Sequence, residues 1–436
     1  MKQSLFWSYA LAIAVIGVAA ANAQGQRGPS EPQMRGDGPA PEAKPFSISR
    51  NDPALDQIIS PDAKLVELAR GFGLTEGGLW VADGRSGYWI FTGLLDNVLY
   101  KVTPQKQVSV FMEKAGYTGT DPDHVGTQTR AGRSHVLLIG PSCTGMDSNG
   151  RVIWCADNDR QLMRLEKDGT RTVLSSGMNG QKFSGPNDIA IAADDAVYLA
   201  DNDFGLRDAG RNPDKQLQNG IYRIKDGKTT LVLSGADLGG TPNGIALSPD
   251  GKWMYLSTAA RRMRRYAVNP DGTLGAFTVF TEGVGIGDGQ KTDTAGNVYS
   301  TGGAGPGIVR ITSPEGKLLG TINLPIYSGE PKRQICATNE AFGGADGKTL
   351  FIAGCDAVYT IQLKTAGIVR ITSPEGKLLG TINLPIYGGE PKKQICATNE
   401  AFGGADGKTL FIAGCDAVYT IPLKTAGIVP ANNVNK

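Results

Sequence analysis

Four short segments of the 436-residue chain place a carboxylate or a carboxamide beside glycine or proline: Glu76 in LTEGGLW, Asn187 in SGPNDIA, Asn243 in TPNGIAL and Asp288 in GIGDGQK. Carboxylate and amide oxygens are hard donors, the kind that Ca²⁺, Mg²⁺ or Mn²⁺ prefer. Taken singly, an asparagine in such a context is an ordinary turn residue. Four at like positions form a pattern that turn formation does not require, and small neighbours leave room for an ion or a ligand. Other chemistries lack material. There are two histidines, His124 and His135, too few for a His-rich zinc site and poor support for a Ser-His-Asp site. His124 in DPDHVG reads as an exposed loop residue, and no cysteines are spaced as CxxC. The glycines around Asp288 match neither GxGxxG nor a P-loop, and no helical pattern follows them. The acid pairs Asp157/Asp159 and Asp201/Asp203 read first as turn formers. Asp201 and Asp203 follow a strand, so they stand beside Asn187 as further substrate-binding candidates.

The elements that must position these residues are strands. SCTGMDSNGRVIWCADND, PNDIAIAADDAVYLADND, PNGIALSPDGKWMYLSTA, GDGQKTDTAGNVYSTG and TNEAFGGADGKTLFIAG each read as an apolar strand, a polar turn and a second strand. Their turns, near Asn149, Asp194, Asp250, Ala295 and Asp346, lie 45 to 56 residues apart. Room for about four strands per spacing is the mark of propeller blades. With TEGGLWVADGRSGYWIFTG as one more unit, six blades fit between Lys64 and Leu363, which predicts an all-β, six-bladed propeller. In that fold the lead-ins to the innermost strands ring one mouth of a central channel, so Glu76, Asn187, Asn243 and Asp288 would converge there from different blades.

The flanks carry other information. Lys2, the apolar run Leu11–Ala21 and Ala21–Asn22–Ala23 read as a signal peptide over 1–23, which predicts a periplasmic or secreted protein. Residues 24–63 read as a flexible Pro/Gly-rich linker. No later run is apolar enough to span a membrane, and 44 basic against 42 acidic residues give no surface for nucleic acid. Export would expose the six cysteines to oxidation. Cys143/Cys155 and Cys336/Cys355 flank tight turns, so each pair could face across a hairpin; buried thiols are the alternative.

A second repeat is nearly exact. Gly307–Ala366 recurs as Gly367–Ala426, differing at Ser328/Gly388, Arg333/Lys393 and Gln362/Pro422, before a tail over 427–436. It reads as the last blade written twice. A ring closed by the strand in Ala63–Phe72 has one gap. The expectation is a propeller over 64–366 with the second copy, 367–426, outside it and available for self-association.

At its motifs the chain resembles the gluconolactonase/regucalcin family, also called the senescence-marker-protein or SGL family, over about Lys64 to Leu363. The carriers are Glu76–Gly77–Gly78–Leu79–Trp80, Pro186–Asn187–Asp188, Pro242–Asn243–Gly244, Gly287–Asp288–Gly289 with Asp293–Asn297, and the closing AFGGADGKTLFIAG. The resemblance implies one divalent cation on the propeller axis, Ca²⁺ foremost, with Mg²⁺, Mn²⁺ or Zn²⁺ as alternatives. It implies Glu76, Asn243 and Asp288 as metal ligands, Asn187 as a contact to substrate or metal-bound water, and Asp288 as proton donor and acceptor. The implied substrates are lactones of sugar acids. Departures are Gly78 and Gly287 in place of prolines, Gly185 where some members carry a substrate-binding arginine, and Asp201–Gly205 in place of DPPYG. The resulting expectation is a secreted, metal-dependent lactonase. The alternatives are a non-catalytic periplasmic propeller that binds a sugar acid or a protein, and a propeller enzyme of strictosidine-synthase type.

Overall fold

The computed structural model describes residues 42–422 apart from 84–85, 122–124, 126, 129–135, 207–211, 259–261, 283–286, 305–306, 327–335, 368–370, 373–377, 381–396, 404–408 and 415–417. The signal-peptide segment and both histidines, His124 and His135, lie outside the described residues.

Alternating apolar residues and tight turns fold into six antiparallel sheets, the blades of a propeller. Blade one is Thr75–Asp83, Ser86–Gly93, Val98–Val102 and Val108–Glu113. The innermost strands of blades two to six are Thr144–Met146, Pro186–Ile191, Pro242–Leu247, Gln290–Thr292 and Cys336–Gly343. The five turns expected from sequence join each of these to its neighbour. Asp147 and Asp293 show why such turns are tight. The Asp147 carboxylate accepts the N–H groups of Asn149 and Arg151, and that of Asp293 accepts those of Ala295 and Asn297, each fixing its own backbone.

Ring closure follows the expectation. Strand Leu65–Arg70 pairs antiparallel with Ala357–Gln362, the third strand of blade six, so the first copy of the duplication completes the ring. The seam between blades six and one is aromatic. Trp89 stacks on Phe351 with ring centroids 4.9 Å apart, and Leu68, Phe72, Phe91 and Tyr100 bury around them. Such pairs add stability beyond the area they bury.

Two expectations need correction. The segment 24–63 is not a linker throughout. Ser47–Arg50 adds a fifth strand to blade five, Pro53–Gln57 forms a 3-10 helix, and Leu55, Ile58 and Ile59 enter the core. The Pro/Gly composition that suggested a linker belongs to its first half, and the apolar residues come after Pro45. The duplicated unit is also not one blade. Its first copy supplies Ile308–Thr312 and Leu318–Asn323 to blade five, then Cys336–Gly343, Thr349–Gly354 and Ala357–Gln362 to blade six. The repeat boundary therefore cuts through a blade. In the second copy Ile371–Thr372 pairs with Leu378–Gly380, and Ala397–Gly403, Thr409–Gly414 and Val418–Pro422 form a sheet of three. These described strands repeat the register of the first copy and pair only with one another.

Candidate active site

In four blades the innermost strand begins with a bulge, between Glu76 and Gly78, Pro186 and Asp188, Pro242 and Ile245, and Ala337 and Asn339. A bulge takes a residue out of the ladder and re-aims its side chain. Three of the four sequence candidates, Glu76, Asn187 and Asn243, sit in these bulges. Gly77 supplies the left-handed turn of the first, with φ at +44°, a conformation that suits glycine. The fourth candidate, Asp288, precedes the inner strand of blade five, with its N–H on the Thr301 carbonyl at 3.2 Å.

Steric crowding explains the glycines that flank Asp288. A Cβ on Gly287 would lie 2.4 Å from the Ser257 side chain, and one on Gly289 would lie 2.4 Å from Asn339 Cγ. A Cβ on Gly244 would lie 1.7 Å from the Asp288 carbonyl oxygen. The backbones of blades four, five and six are in direct contact here. Gln290 bonds across the same seam, its Nε2 donating to the carbonyls of Gly244 at 2.6 Å and Tyr255 at 2.7 Å. The Asn243 strand and the Asp288 segment are thereby held as one unit.

Glu76, Asn243 and Asp288 differ in their surroundings. Glu76 is buried, and burial, with the charges of Asp288 and Asp188 behind it, holds its carboxyl well above the usual carboxylate range. Asn243 is buried as well, and its Oδ1 has no hydrogen-bond partner. Asp288 is half-buried. An orphaned buried amide oxygen and a carboxyl poorly stabilised as an anion are each groups that a cation would satisfy. No three His, Cys, Asp or Glu side chains group as a metal site among the described residues, so a cation here needs the Asn243 oxygen as well as the two carboxylates. That oxygen-rich set fits a hard divalent ion. Asn187 is half-buried at the same bulge position of blade three.

The neighbouring Pro186 is fixed by a buried acid. Ser142 Oγ lies 2.5 Å from Asp157 Oδ1 and 2.9 Å from the Pro186 carbonyl oxygen. A hydroxyl has one proton to donate, so both bonds close only if Asp157 is itself protonated. Burial pushes its pKa well up, in agreement.

Asp201 and Asp203, expected to bind substrate, are both engaged by the protein itself. Asp201 is fully buried and accepts the N–H groups of Ser184 at 2.9 Å and Gly185 at 2.9 Å, so it holds the loop before Asn187. Asp203 is paired with Lys215 Nζ at 2.8 Å. The missing arginine at Gly185 has a local cause, since a Cβ there would lie 2.9 Å from the Asn202 carbonyl oxygen. Burial pushes the Asp201 carboxyl up to about 7, against the Ser184 and Gly185 N–H groups, which pull it down. The folded protein therefore binds this proton more tightly than the unfolded chain does. The group's contribution to stability falls as pH rises from about 4 through about 7 and is flat above. Asp201→Asn has no such slope, so its melting temperature relative to the parent is expected to be higher at about pH 8 than at about pH 5. An equal difference at both would mean that Asp201 titrates as a surface carboxylate does.

Sequence reasoning missed Asp188, Lys291, Asn339 and Glu340. Asp188 Oδ2 accepts the Ile245 N–H at 3.2 Å, a donor beside the blade-four bulge. Glu340 is fully buried, and burial pushes it up to about 8, with the Lys291 charge acting in the opposite direction. The signal for Asn339 was present: TNEAF stands in blade six where PNDIA and PNGIA stand in blades three and four.

Comparison with known proteins gives the family. A family model described as SMP-30/Gluconolactonase/LRE-like region matches residues 74–356. A gluconolactonase of Zymomonas mobilis subsp. mobilis is 30% identical over 336 residues, covering 73% of this chain and 87% of the relative. The solved structure of a gluconolactonase from Xanthomonas campestris aligns with a TM-score of 0.58 and 23% identity, over 75% of this chain and 99% of that one. A calcium-binding regucalcin from Agrobacterium tumefaciens aligns with a TM-score of 0.50 and 19% identity, over 74% and 96%. The two solved structures establish likeness of fold.

Proposed function

This chain belongs to the SMP-30/gluconolactonase/LRE-like family and is a lactonase, and we propose that it opens sugar-acid lactones with the help of a divalent cation held by Glu76, Asn243 and Asp288. The observation that carries the reading is the buried Glu76 carboxyl held against the charge of Asp288, together with the buried Asn243 Oδ1 that has no hydrogen-bond partner. The sugar-acid substrate is taken from the Zymomonas relative, and calcium as first choice of ion from the Agrobacterium regucalcin. The cation, when bound, would supply Lewis acidity to the lactone carbonyl.

The chain's own residues supply the remaining chemistry. Asp288 accepts a proton from the attacking water as the water oxygen bonds to the carbonyl carbon. The ring C–O bond then breaks, and the same proton goes to the departing alkoxide, which becomes the hydroxyl of the product acid. Asn187 orients the sugar hydroxyls or the water from the neighbouring blade. The glycines around Asp288 admit the backbone contacts that keep its carboxylate near Glu76.

Export to the periplasm or outside the cell belongs to the same proposal. The disulfides Cys143–Cys155 and Cys336–Cys355 support it, since such bonds persist in oxidising compartments. A panel of lactones tests the substrate class. Hydroxylated sugar-acid δ- and γ-lactones are expected to be turned over with a kcat/KM at least about ten-fold above that of unsubstituted lactones of the same ring size, the discrimination a site built around substrate hydroxyls provides. Equal rates on both would remove the sugar acid from the proposal and leave a general lactonase.

A further inference from the structure

We infer that Asn339 is a positioning residue for Glu76, an assignment that rests on the reading of Glu76 as a cation ligand. Asn339 is buried at the blade-six bulge and reaches Glu76, Asp188, Glu340 and Lys291 at once. Its Nδ2 donates to Glu76 Oε2 at 3.4 Å, across the seam to blade one. Its Oδ1 accepts the Glu340 N–H at 2.9 Å and the Lys291 ammonium at 3.3 Å. The amide therefore has one workable orientation. Turned over, its NH₂ would face an ammonium and an N–H while its oxygen faced a carboxylate.

Lys291 is held in turn. Its Nζ donates to the Gln290 carbonyl at 3.1 Å, and the buried carboxyls of Asp188 and Glu340 lie within reach of its charge. The Asn339 amide also meets Gly289, the residue after Asp288, where any Cβ would lie 2.4 Å from Cγ and 2.5 Å from Oδ1. One side chain thus spans from the Asp288 segment of blade five to the Glu76 carboxylate of blade one. It ties down the Glu76 Oε2 oxygen. Partners of this kind set the orientation of a ligand they never replace.

The test uses the full-length protein stripped of metal, titrated calorimetrically with Ca²⁺ and melted without added metal. Asn339→Ala changes no charge. It is expected to weaken Ca²⁺ binding about 10- to 100-fold while kcat at saturating Ca²⁺ stays near the parent value, because the ligands themselves remain. Gly289→Ala removes no polar group but must displace the Asn339 amide, so it is expected to weaken Ca²⁺ binding in the same way. If Asn339→Ala does not fold, Asn339→Leu and Gly289→Ala decide on the same titration. Glu76→Gln separates the two levels of the argument. If Glu76→Gln weakens Ca²⁺ binding while the Asn339 and Gly289 variants bind as the parent does, Asn339 is packing only and the inference falls alone. If Glu76→Gln itself binds Ca²⁺ as the parent does, the cation reading falls and takes the inference with it.

Discussion

Asp288→Asn is expected to give a folded protein that still binds a cation and turns over lactone slower by about 10²-fold or more, the range lost with a general base. Asparagine keeps the shape and one oxygen donor of aspartate, so the contacts of Gly287 and Gly289 with blades four and six are undisturbed. It cannot take a proton from water. Steady-state kinetics at saturating cation, with circular dichroism to confirm the fold, is the measurement. Near-parent turnover would move the base elsewhere. Asp201 is a poor substitute because it is fully buried against Ser184 and Gly185, which leaves Glu76 itself as the remaining carboxylate of the donor set.

Opposite truncations are expected to have opposite outcomes. Starting the chain at Gly71 removes strand Leu65–Arg70 and the buried side chains of Leu55, Ile58, Ile59 and Leu68. At about 1.5–3 kcal/mol each these amount to roughly 6–12 kcal/mol, the whole of an ordinary domain's stability of about 5–15 kcal/mol. No cooperative unfolding transition should survive. Deleting Gly367–Ala426 instead joins Ala366 to Gly427, which restores a glycine where Gly367 stood. The ring keeps all its strands, so lactonase activity and melting temperature should match the parent. Strands that pair only with themselves are also removed, which should lower any tendency to associate. Loss of activity in this second deletion would place the second copy in the ring. The side chains argue otherwise. Gln362 bonds Asp346 Oδ2 through its amide nitrogen at 3.0 Å and Thr349 through its oxygen at 3.0 Å, and Pro422, its counterpart, can make neither bond.

The blade count, the closing strand and the four polar lead-ins were readable because each rests on a local rule repeated along the chain. Turn residues recur at even spacing, and an acid or amide beside glycine recurs at the start of inner strands. What escaped was contact across seams. Asn339 has a local sequence like those of Asn187 and Asn243 but makes its contact with Glu76, which lies 263 residues away. Asp201 looked like a mouth residue because it ends a strand, yet its carboxylate turns inward onto backbone N–H groups from the preceding loop. The duplication misled for a related reason. Its boundaries are visible in the sequence, but the blade boundary falls inside the repeat, between Asn323 and Cys336, and only strand pairing reveals it.

In the proposed function Glu76, Asn243 and Asp288 hold a divalent cation on which lactone opening depends. The most direct measurement is hydrolysis of a sugar-acid lactone by the purified full-length protein before chelation, after exhaustive removal of metal, and after return of Ca²⁺, Mg²⁺, Mn²⁺ or Zn²⁺ singly. Chelation is expected to abolish turnover, at least one of these ions to restore it, and Asn243→Ala to demand more of that ion for half-maximal activity. Full activity in protein shown to be free of metal would contradict it.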